Sequence, residues 1–178
     1  MPNNQGYERE DAYKTLEMIN TWINNIDTKV SFALAFSSVL IGFIFSKGVP
    51  SVFKRIGEVS KLNELIGGDV IEAIVIVVLY ISSIIAIMCF LLAIRGKIKN
   101  PNQSQSIFFF GSIASQELID YRTKTSQMTE QGIIDDLKEQ IHTNSAICNK
   151  KVKCYNTGII FLMVTTVLSF ICEIFRFI

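Results

Sequence analysis

The chain has 178 residues, 49% of them hydrophobic, and a formal net charge of +1 at pH 7. This near neutrality does not indicate a protein that binds nucleic acid through a basic face, and the length suits one compact unit. The charged residues avoid three long windows almost completely, which indicates a membrane protein rather than a soluble domain.

The first predicted helix begins near Glu8 and continues into the first uncharged window, residues 30–46. Apolar residues recur along it at alternating steps of four and three, as in helices that pack against other helices. Because no glycine or proline interrupts this stripe before Gly42, we predict one continuous helix that enters the membrane from a cytoplasmic stalk. The stripe consists of Ala12, Leu16, Ile19, Ile23, Ile26 and Val30.

The uncharged windows 30–46, 73–94 and 154–172 are the predicted membrane spans. A bilayer core of roughly 30 Å needs about 20 apolar residues in a helix, and the second and third windows meet that length. The first is one turn short, but Lys29 and Lys47 at its ends can extend their ammonium groups to the headgroups. It follows a long polar stretch without a convincing cleavage site, so we expect a retained span rather than a signal peptide.

Small residues recur along the first span, and they form two small-xxx-small pairs. Such pairs permit close contact between membrane helices. The contact is either packing within one chain or association between copies, and the sequence favours neither. The pairs are Ser31 with Ala35 and Ser38 with Gly42.

A short amphipathic helix is predicted in the connection between the first two spans. The glycines Gly67 and Gly68 are expected to break this helix before the second span begins. Its apolar residues recur at helical spacing: Val52, Ile56, Val59, Leu62 and Ile66.

The distribution of lysine and arginine predicts the topology. Residues 1–29 and 95–153 together carry twelve, whereas residues 47–72 and 173–178 together carry five. Basic residues accumulate on the cytoplasmic side of membrane proteins. We therefore expect residues 1–29 and 95–153 to be cytoplasmic, 47–72 and 173–178 to be periplasmic, and the C-terminus to lie outside the cytoplasm.

The predicted cytoplasmic region contains helical segments besides the stalk. Residues 107–110 are interpreted as a strand-like plug or as the start of a helix through Tyr121. Thr129 is expected to cap a helix that runs from Glu130 into the third span. On that helix Ile134, Leu137, Ile141 and Asn144 are predicted to face one way, with Asp135, Asp136, Lys138 and Glu139 mainly on the opposite, solvated side.

These elements define the predicted fold class. It is an all-α membrane protein with three transmembrane helices, long cytoplasmic helical extensions of the first and third, and a small cytoplasmic helical region. No phosphate-binding loop, nucleophile elbow or metalloprotease motif is present in the sequence, so no enzymatic activity is expected. One histidine and four dispersed cysteines predict no metal site, and spans without acidic or basic residues argue against a proton-coupled carrier.

Three blocks of sequence resemble the transmembrane Pycsar effector family, PycTM. The first is Trp22-Ile-Asn-Asn-Ile-Asp27-Thr-Lys29, which is similar to that family's W-I-x-x-x-D-x-K pattern before the first span. The second is Ile107-Phe-Phe-Phe-Gly-Ser-Ile-Ala, after the second span. The blocks occur in the family's order, although Ser112 stands where many members carry an acidic residue. The third consists of Gln140, Ile141, Ser145, Ile147 and Lys151.

The resemblance implies a membrane effector of bacterial antiphage defence. Such a protein lies in the inner membrane, binds a cyclic nucleotide made by a companion cyclase, impairs the membrane and stops growth. Cyclic UMP or cyclic CMP is the expected activating ligand, no further cofactor is implied, and a homo-oligomer is expected. Related effectors in oligonucleotide-signalling systems leave the ligand class open. The alternatives are a non-signalling scaffold or subunit of a larger membrane complex, and a constitutive toxin.

The residues needed for a cyclic nucleotide are a positive group for the phosphate and an aromatic or amide group for the base. From these types we select Tyr121, Arg122, Gln140, Asn144 and Lys151 as candidate ligand contacts. By contrast, Trp22, Asp27 and Lys29 are interpreted first as a membrane-interface and helix-pairing motif. Asp27 and Lys29 do not face each other on a helix, so Asp27 is expected to pair with Lys150 or Lys151.

Overall fold

The computed structural model describes residues 6–58, 67–95 and 106–178, and in these ranges it contains helices and connecting segments but no strand. This agrees with the predicted all-α class. Two of the helices, α1 and α6, are much longer than a membrane span requires. The helices of the described ranges are α1 (Arg9–Ser46), α2 (Ser51–Glu58), α3 (Gly67–Ile94), α4 (Phe110–Ala114), α5 (Leu118–Gln127) and α6 (Glu130–Ile174).

The helices α1, α3 and α6 are long and apolar enough to cross a membrane. Each contains one of the predicted spans, which supports a membrane protein with three spanning helices. The first and third spans occupy only the second half of α1 and α6. Both helices therefore continue before their apolar windows, as the stalk prediction requires.

The chain divides into two compact units. One consists of Met1–Asp27 and Arg95–Val152, and we call it the polar unit. The other consists of Thr28–Ile94 and Lys153–Ile178, and we call it the span unit. Since α1 and α6 each contribute residues to both units, no loop separates the units along either helix.

Side-chain hydrogen bonds satisfy backbone donors where α1 and α6 begin. The Asp11 carboxylate accepts the backbone N–H of Glu8 at 3.1 Å, which is the return half of a capping box. The Thr129 hydroxyl accepts the N–H of Gly132 at 3.1 Å, as predicted for the cap of α6. Gly67 and Gly68 form the first turn of α3, ahead of the predicted span.

The predicted interpretations of residues 107–110 both failed. Residues 106–109 form neither a strand nor a helix. Helix α4 starts at Phe110 and ends after one turn, and α5 begins only at Leu118. The Ser106 hydroxyl accepts the N–H groups of Phe108 and Phe109 at 3.0 and 3.1 Å. This turn satisfies the donors that either regular structure would have used.

In the span unit, α2 packs on α3 and is held there by ion pairs. Arg55 contacts Asp69 at 2.9 Å and Glu72 at 2.7 Å, and its hydrogen bond to Asp69 raises the pKa of the guanidinium. Val52 of α2 is fully buried, as expected for the apolar face of the amphipathic helix. The remaining part of that predicted helix, residues 59–66, lies outside the described residues.

Two close contacts join α3 and α6 within the span unit. The hydroxyl groups of Ser82 and Thr165 lie 2.9 Å apart and share a hydrogen bond. Gly158 packs against the ring of fully buried Phe90 so closely that a Cβ at Gly158 would lie 2.6 Å from a ring carbon. The absence of a side chain at Gly158 is therefore what permits this approach.

Candidate functional site

Two polar bridges join α1 to α6 inside the polar unit. The Asn144 amide donates to the Asn20 side-chain oxygen at 2.9 Å, and the Lys151 ammonium donates to the Asp27 carboxylate at 2.5 Å. In both bridges the partners are 124 residues apart in the sequence. The two helices therefore run parallel here, with the bridges one heptad apart on each helix.

Two lysines were predicted as possible partners of Asp27. In the structure Asp27 pairs with Lys151, whereas Lys150 is exposed. The Lys151 side chain is 9% exposed and that of Asp27 is 39% exposed. The ammonium thus lies largely out of solvent, while the carboxylate keeps contact with it. Because an ammonium withdrawn from water needs a counter-charge, this bridge fixes the register of the two helices more strongly than the exposed amide bridge.

The same register extends towards the beginning of both helices. A constant offset of 124 residues brings Ala12, Leu16 and Ile19 of α1 level with Asp136, Gln140 and Thr143 of α6, respectively. Ala12 and Ile19 are buried, as the heptad stripe predicted. An apolar stripe on α1 is therefore level with a row of polar residues on α6.

These polar residues of α6 are withdrawn from solvent. Asp136 is 8% exposed, Gln140 is 3% and Thr143 is 2%. Their atoms Oδ1, Nε2 and Oγ1, respectively, are buried and have no hydrogen-bond partner in the part of the chain that the structure describes. We call these three residues the buried polar face. Since most buried polar atoms in folded proteins are hydrogen-bonded, three such atoms on one helix face are unusual.

The segment 106–109 connects this face to α5. The backbone N–H of Ile107 donates to Asp136 Oδ2 at 2.8 Å, and the Tyr121 hydroxyl contacts the Ile107 carbonyl oxygen at 3.4 Å. Phe108 packs edge-on against Tyr13 of α1, with ring centroids 5.8 Å apart. The segment therefore touches all three long elements of the polar unit next to Asp136.

The five candidate ligand residues lie on two different helices. Gln140, Asn144 and Lys151 lie on the α6 side that faces α1, but Asn144 and Lys151 are already engaged in the bridges to that helix. Tyr121 and Arg122 lie on α5, where Tyr121 is half-buried and Arg122 is exposed. The contact with Ile107 links Tyr121 to the buried polar face, whereas Arg122 makes no ion pair among the described residues.

Two residues of the buried polar face were missed by sequence reasoning. Asp136 was placed with Asp135 on the solvated side of α6, but only Asp135 is exposed. Adjacent residues on a helix differ by about 100° in direction, so one of the two can face α1 while the other faces solvent. Thr143 was not selected at all. Its spacing of three from Gln140 and seven from Asp136 was the available signal.

A surface cavity of about 450 Å³ lies where α1 and α6 begin. This volume is within the range of small-molecule sites. The walls include the cation of Arg9 but also the carboxylates of Glu8, Glu10 and Glu130. Three negative groups against one positive group disfavour an anionic phosphate, so the cavity does not fit the cyclic nucleotide that the resemblance implied. Its other lining residues are Gly6, Tyr7 and Ile134.

The three motif residues before the first span, Trp22, Asp27 and Lys29, differ in their exposure to solvent. Trp22 is 52% exposed on the surface of α1 and Lys29 is also exposed, whereas Asp27 is half-buried in its bridge to Lys151. An exposed indole near the start of an apolar window suits a membrane interface. The arrangement is compatible with anchoring by Trp22 and Lys29 and with helix pairing by Asp27.

The chain is similar to a known protein family along nearly its whole length. The model of the Pycsar effector protein domain, PycTM, matches residues 11–175. The Pycsar effector protein GmPycTM of Gulbenkiania mobilis is 32% identical over an aligned length of 176 residues, and the alignment covers 92% of this chain and 90% of that protein. No solved structure matches the chain significantly.

Proposed function

The chain belongs to the Pycsar effector family, and on that premise we propose that it senses a cyclic nucleotide and then impairs the bacterial inner membrane. The family implies the coarser role of a membrane effector in antiphage defence. In the proposed role the polar unit is cytoplasmic, the C-terminus is periplasmic, and a companion cyclase supplies the signal. The chain itself catalyses no reaction and needs no cofactor besides the activating ligand.

The observation that best supports this proposal is the parallel pairing of α1 and α6 in the polar unit. The bridges Asn20–Asn144 and Asp27–Lys151 fix that pairing, and both helices contain a candidate membrane span. A ligand that binds one arrangement of the pair better than another shifts the population towards it. Because each helix is continuous, a rotation or shift in the polar unit has a direct covalent route to the spans.

Cyclic UMP and cyclic CMP are the proposed ligands, and the candidate contacts now differ in rank. Gln140 is the strongest, since its amide nitrogen is buried without a partner among the described residues. Tyr121 and Arg122 follow, because they supply an aromatic ring and an exposed guanidinium on one short helix. Asn144 and Lys151 are reassigned to helix pairing, through which they would transmit the effect of binding.

Thermal unfolding of the purified protein tests this function. Ligand at 100 times its dissociation constant stabilises the folded state by about 2.7 kcal/mol. We expect one cyclic pyrimidine nucleotide to raise the unfolding temperature, and cyclic AMP, cyclic GMP and cyclic dinucleotides to leave it unchanged. The same nucleotide should release dye from proteoliposomes. A flat response to every nucleotide, in detergent and in lipid, would reject the proposal, and a stable protein partner would then indicate a scaffold.

Association of several copies in the membrane is a further part of the proposal. The small residues Ser31, Ala35, Ser38 and Gly42 are exposed on α1, so they do not serve packing inside the span unit. They form one stripe, with successive spacings of four, three and four residues. Exposed small residues allow a second helix to approach closely in lipid.

The variant Gly42→Leu tests this association. A side chain at Gly42 meets no atom of the chain within 4 Å, so the monomer should keep its unfolding temperature. We expect the variant to lose cross-linked oligomers in membranes and, with them, ligand-dependent dye release. Phe43→Leu is the control, because it places leucine on another exposed part of the helix and should behave as the wild type. Unchanged cross-linking in Gly42→Leu would exclude this stripe as the contact.

A further inference from the structure

The buried polar face of α6 is not explained by the packing of the polar unit. Its three atoms are an acceptor, Asp136 Oδ1, a donor, Gln140 Nε2, and a hydroxyl, Thr143 Oγ1, which can donate or accept. The α1 residues at the same level are Ala12, Leu16 and Ile19, whose side chains can offer no hydrogen bond. A helix contact optimised only for stability would carry apolar residues on both sides.

The register of these three residues separates them from the bridges. Asn144 and Lys151 also lie towards α1, but each meets a polar partner there. Among the described residues, the polar contacts between α1 and α6 therefore begin at Asn144 and continue towards the span. Before Asn144, the polar row of α6 is level with the apolar stripe. The row is thus a distinct patch with its own hydrogen-bonding pattern.

We propose that the buried polar face recognises the hydrogen-bonding edge of the base of the activating cyclic nucleotide, an inference that rests on the proposed function. A pyrimidine presents an N–H group next to an acceptor: N3–H beside a carbonyl oxygen in uracil, and the N4 amino group beside N3 in cytosine. Asp136 Oδ1 accepts the N–H, and Gln140 Nε2 donates to the adjacent acceptor. Thr143 donates to the remaining carbonyl oxygen.

Base recognition at this face also couples binding to helix movement. The three atoms are buried in the described chain, so a base reaches them only when the elements packed around this face, including α1, move apart. The segment 106–109 moves with this opening, because the Ile107 N–H is bonded to the same Asp136 carboxylate. The ligand therefore stabilises a separated or rotated arrangement of the first halves of α1 and α6.

Two nearly isosteric variants, Gln140→Met and Thr143→Val, test this site, because they should lower the affinity for the nucleotide without lowering the stability of the protein. Each removes a buried polar atom that has no partner in the described chain, so the ligand-free protein should unfold at the same temperature or higher. Each also removes a hydrogen bond to the base, so affinity for the preferred nucleotide, cyclic UMP or cyclic CMP, should fall by about tenfold or more. Gln131→Met, exposed on the same helix, is the matched control and should bind as the wild type.

Asp136→Asn adds a second measurement, the ratio of the affinities for the two nucleotides. A purely structural role of Asp136 would leave this ratio unchanged. Its side-chain oxygen can still accept the Ile107 N–H, while the acceptor facing the base becomes a donor. We expect at least a tenfold loss for the preferred nucleotide and a smaller effect on the other, measured by titration calorimetry with the full chain. A changed ratio of the two affinities supports base readout.

The results of these experiments distinguish a failure of the proposed site from a failure of the proposed function. Wild-type affinity in Gln140→Met and Thr143→Val would overturn the site and leave the proposed function intact. A lower unfolding temperature of the ligand-free variants, with unchanged affinity, would show that the face serves packing and would also overturn the site. If the wild-type protein binds neither cyclic UMP nor cyclic CMP, the proposed function and the site fail together.

Discussion

Asp27→Ala is expected to lower the unfolding temperature by about 5–10 °C, which corresponds to roughly 2–3 kcal/mol for a chain of this size. The variant removes the carboxylate bonded to Lys151, whose side chain is only 9% exposed. An ammonium left in that position must lose hydration without this counter-charge. The estimate lies below the usual cost of breaking a fully buried pair, because Asp27 itself is 39% exposed.

Lys151→Met should be the milder of the two single variants. It leaves a carboxylate that solvent can reach, and its thioether side chain can fill the space of the lysine stem. The double variant Asp27→Leu/Lys151→Met should recover most of the stability lost in Asp27→Ala, because no buried charge remains. Thermal unfolding of the variants, followed by circular dichroism, measures these differences. Equal losses in both single variants would contradict the asymmetry that we assign to the pair.

Gly158→Leu is expected to be the most disruptive single substitution in the span unit. Its first added atom would lie 2.6 Å from the Phe90 ring, below any normal carbon–carbon contact distance. Phe90 is fully buried, so its ring cannot turn into lipid without separating α3 from α6. Overpacking of this kind costs about 1–3 kcal/mol in protein cores, and we expect a decrease of about 3–10 °C in the unfolding temperature.

A compensating variant provides the control for this prediction. Phe90→Ala alone should also destabilise the protein, since it leaves a cavity beside Gly158. Combined with Gly158→Leu, it should restore part of the loss, because the leucine occupies the space of the ring. The exposed Gly42→Leu gives the baseline for adding a leucine to a membrane helix. Additive losses in the Phe90/Gly158 double variant would argue against direct packing between these residues.

Both of these contacts also bear on the proposed function. The Asp27–Lys151 bridge holds α1 and α6 together in the polar unit, and the Gly158–Phe90 contact holds α3 and α6 together in the span unit. A signal that passes along α6 requires both contacts to survive or to change together. In the proposed function, a variant at either contact that still folds but no longer releases dye from liposomes would identify that contact as part of the rearrangement.

The sequence by itself determined the features that depend on local composition. The three spans followed from uncharged windows, since burying a charge in lipid is costly wherever the helix lies. The continuity of α1 followed from the lack of a breaker before Gly42. The pairing of Asp27 with a lysine near residue 151 also followed from local chemistry, because a carboxylate on a stripe that faces another helix needs a positive partner.

Only the tertiary structure decided which side chains meet across elements. Asp135 and Asp136 have the same chemistry, and their different burial depends on how α6 is turned towards α1, a helix about 124 residues away in sequence. The same register pairs Asp27 with Lys151 instead of Lys150, and it brings Gln140 and Thr143 level with the apolar stripe of α1. The spacing of Asp136, Gln140 and Thr143 places them on one face of α6, but neither segment alone determines what that face meets, because the contact depends on how two distant helices pack.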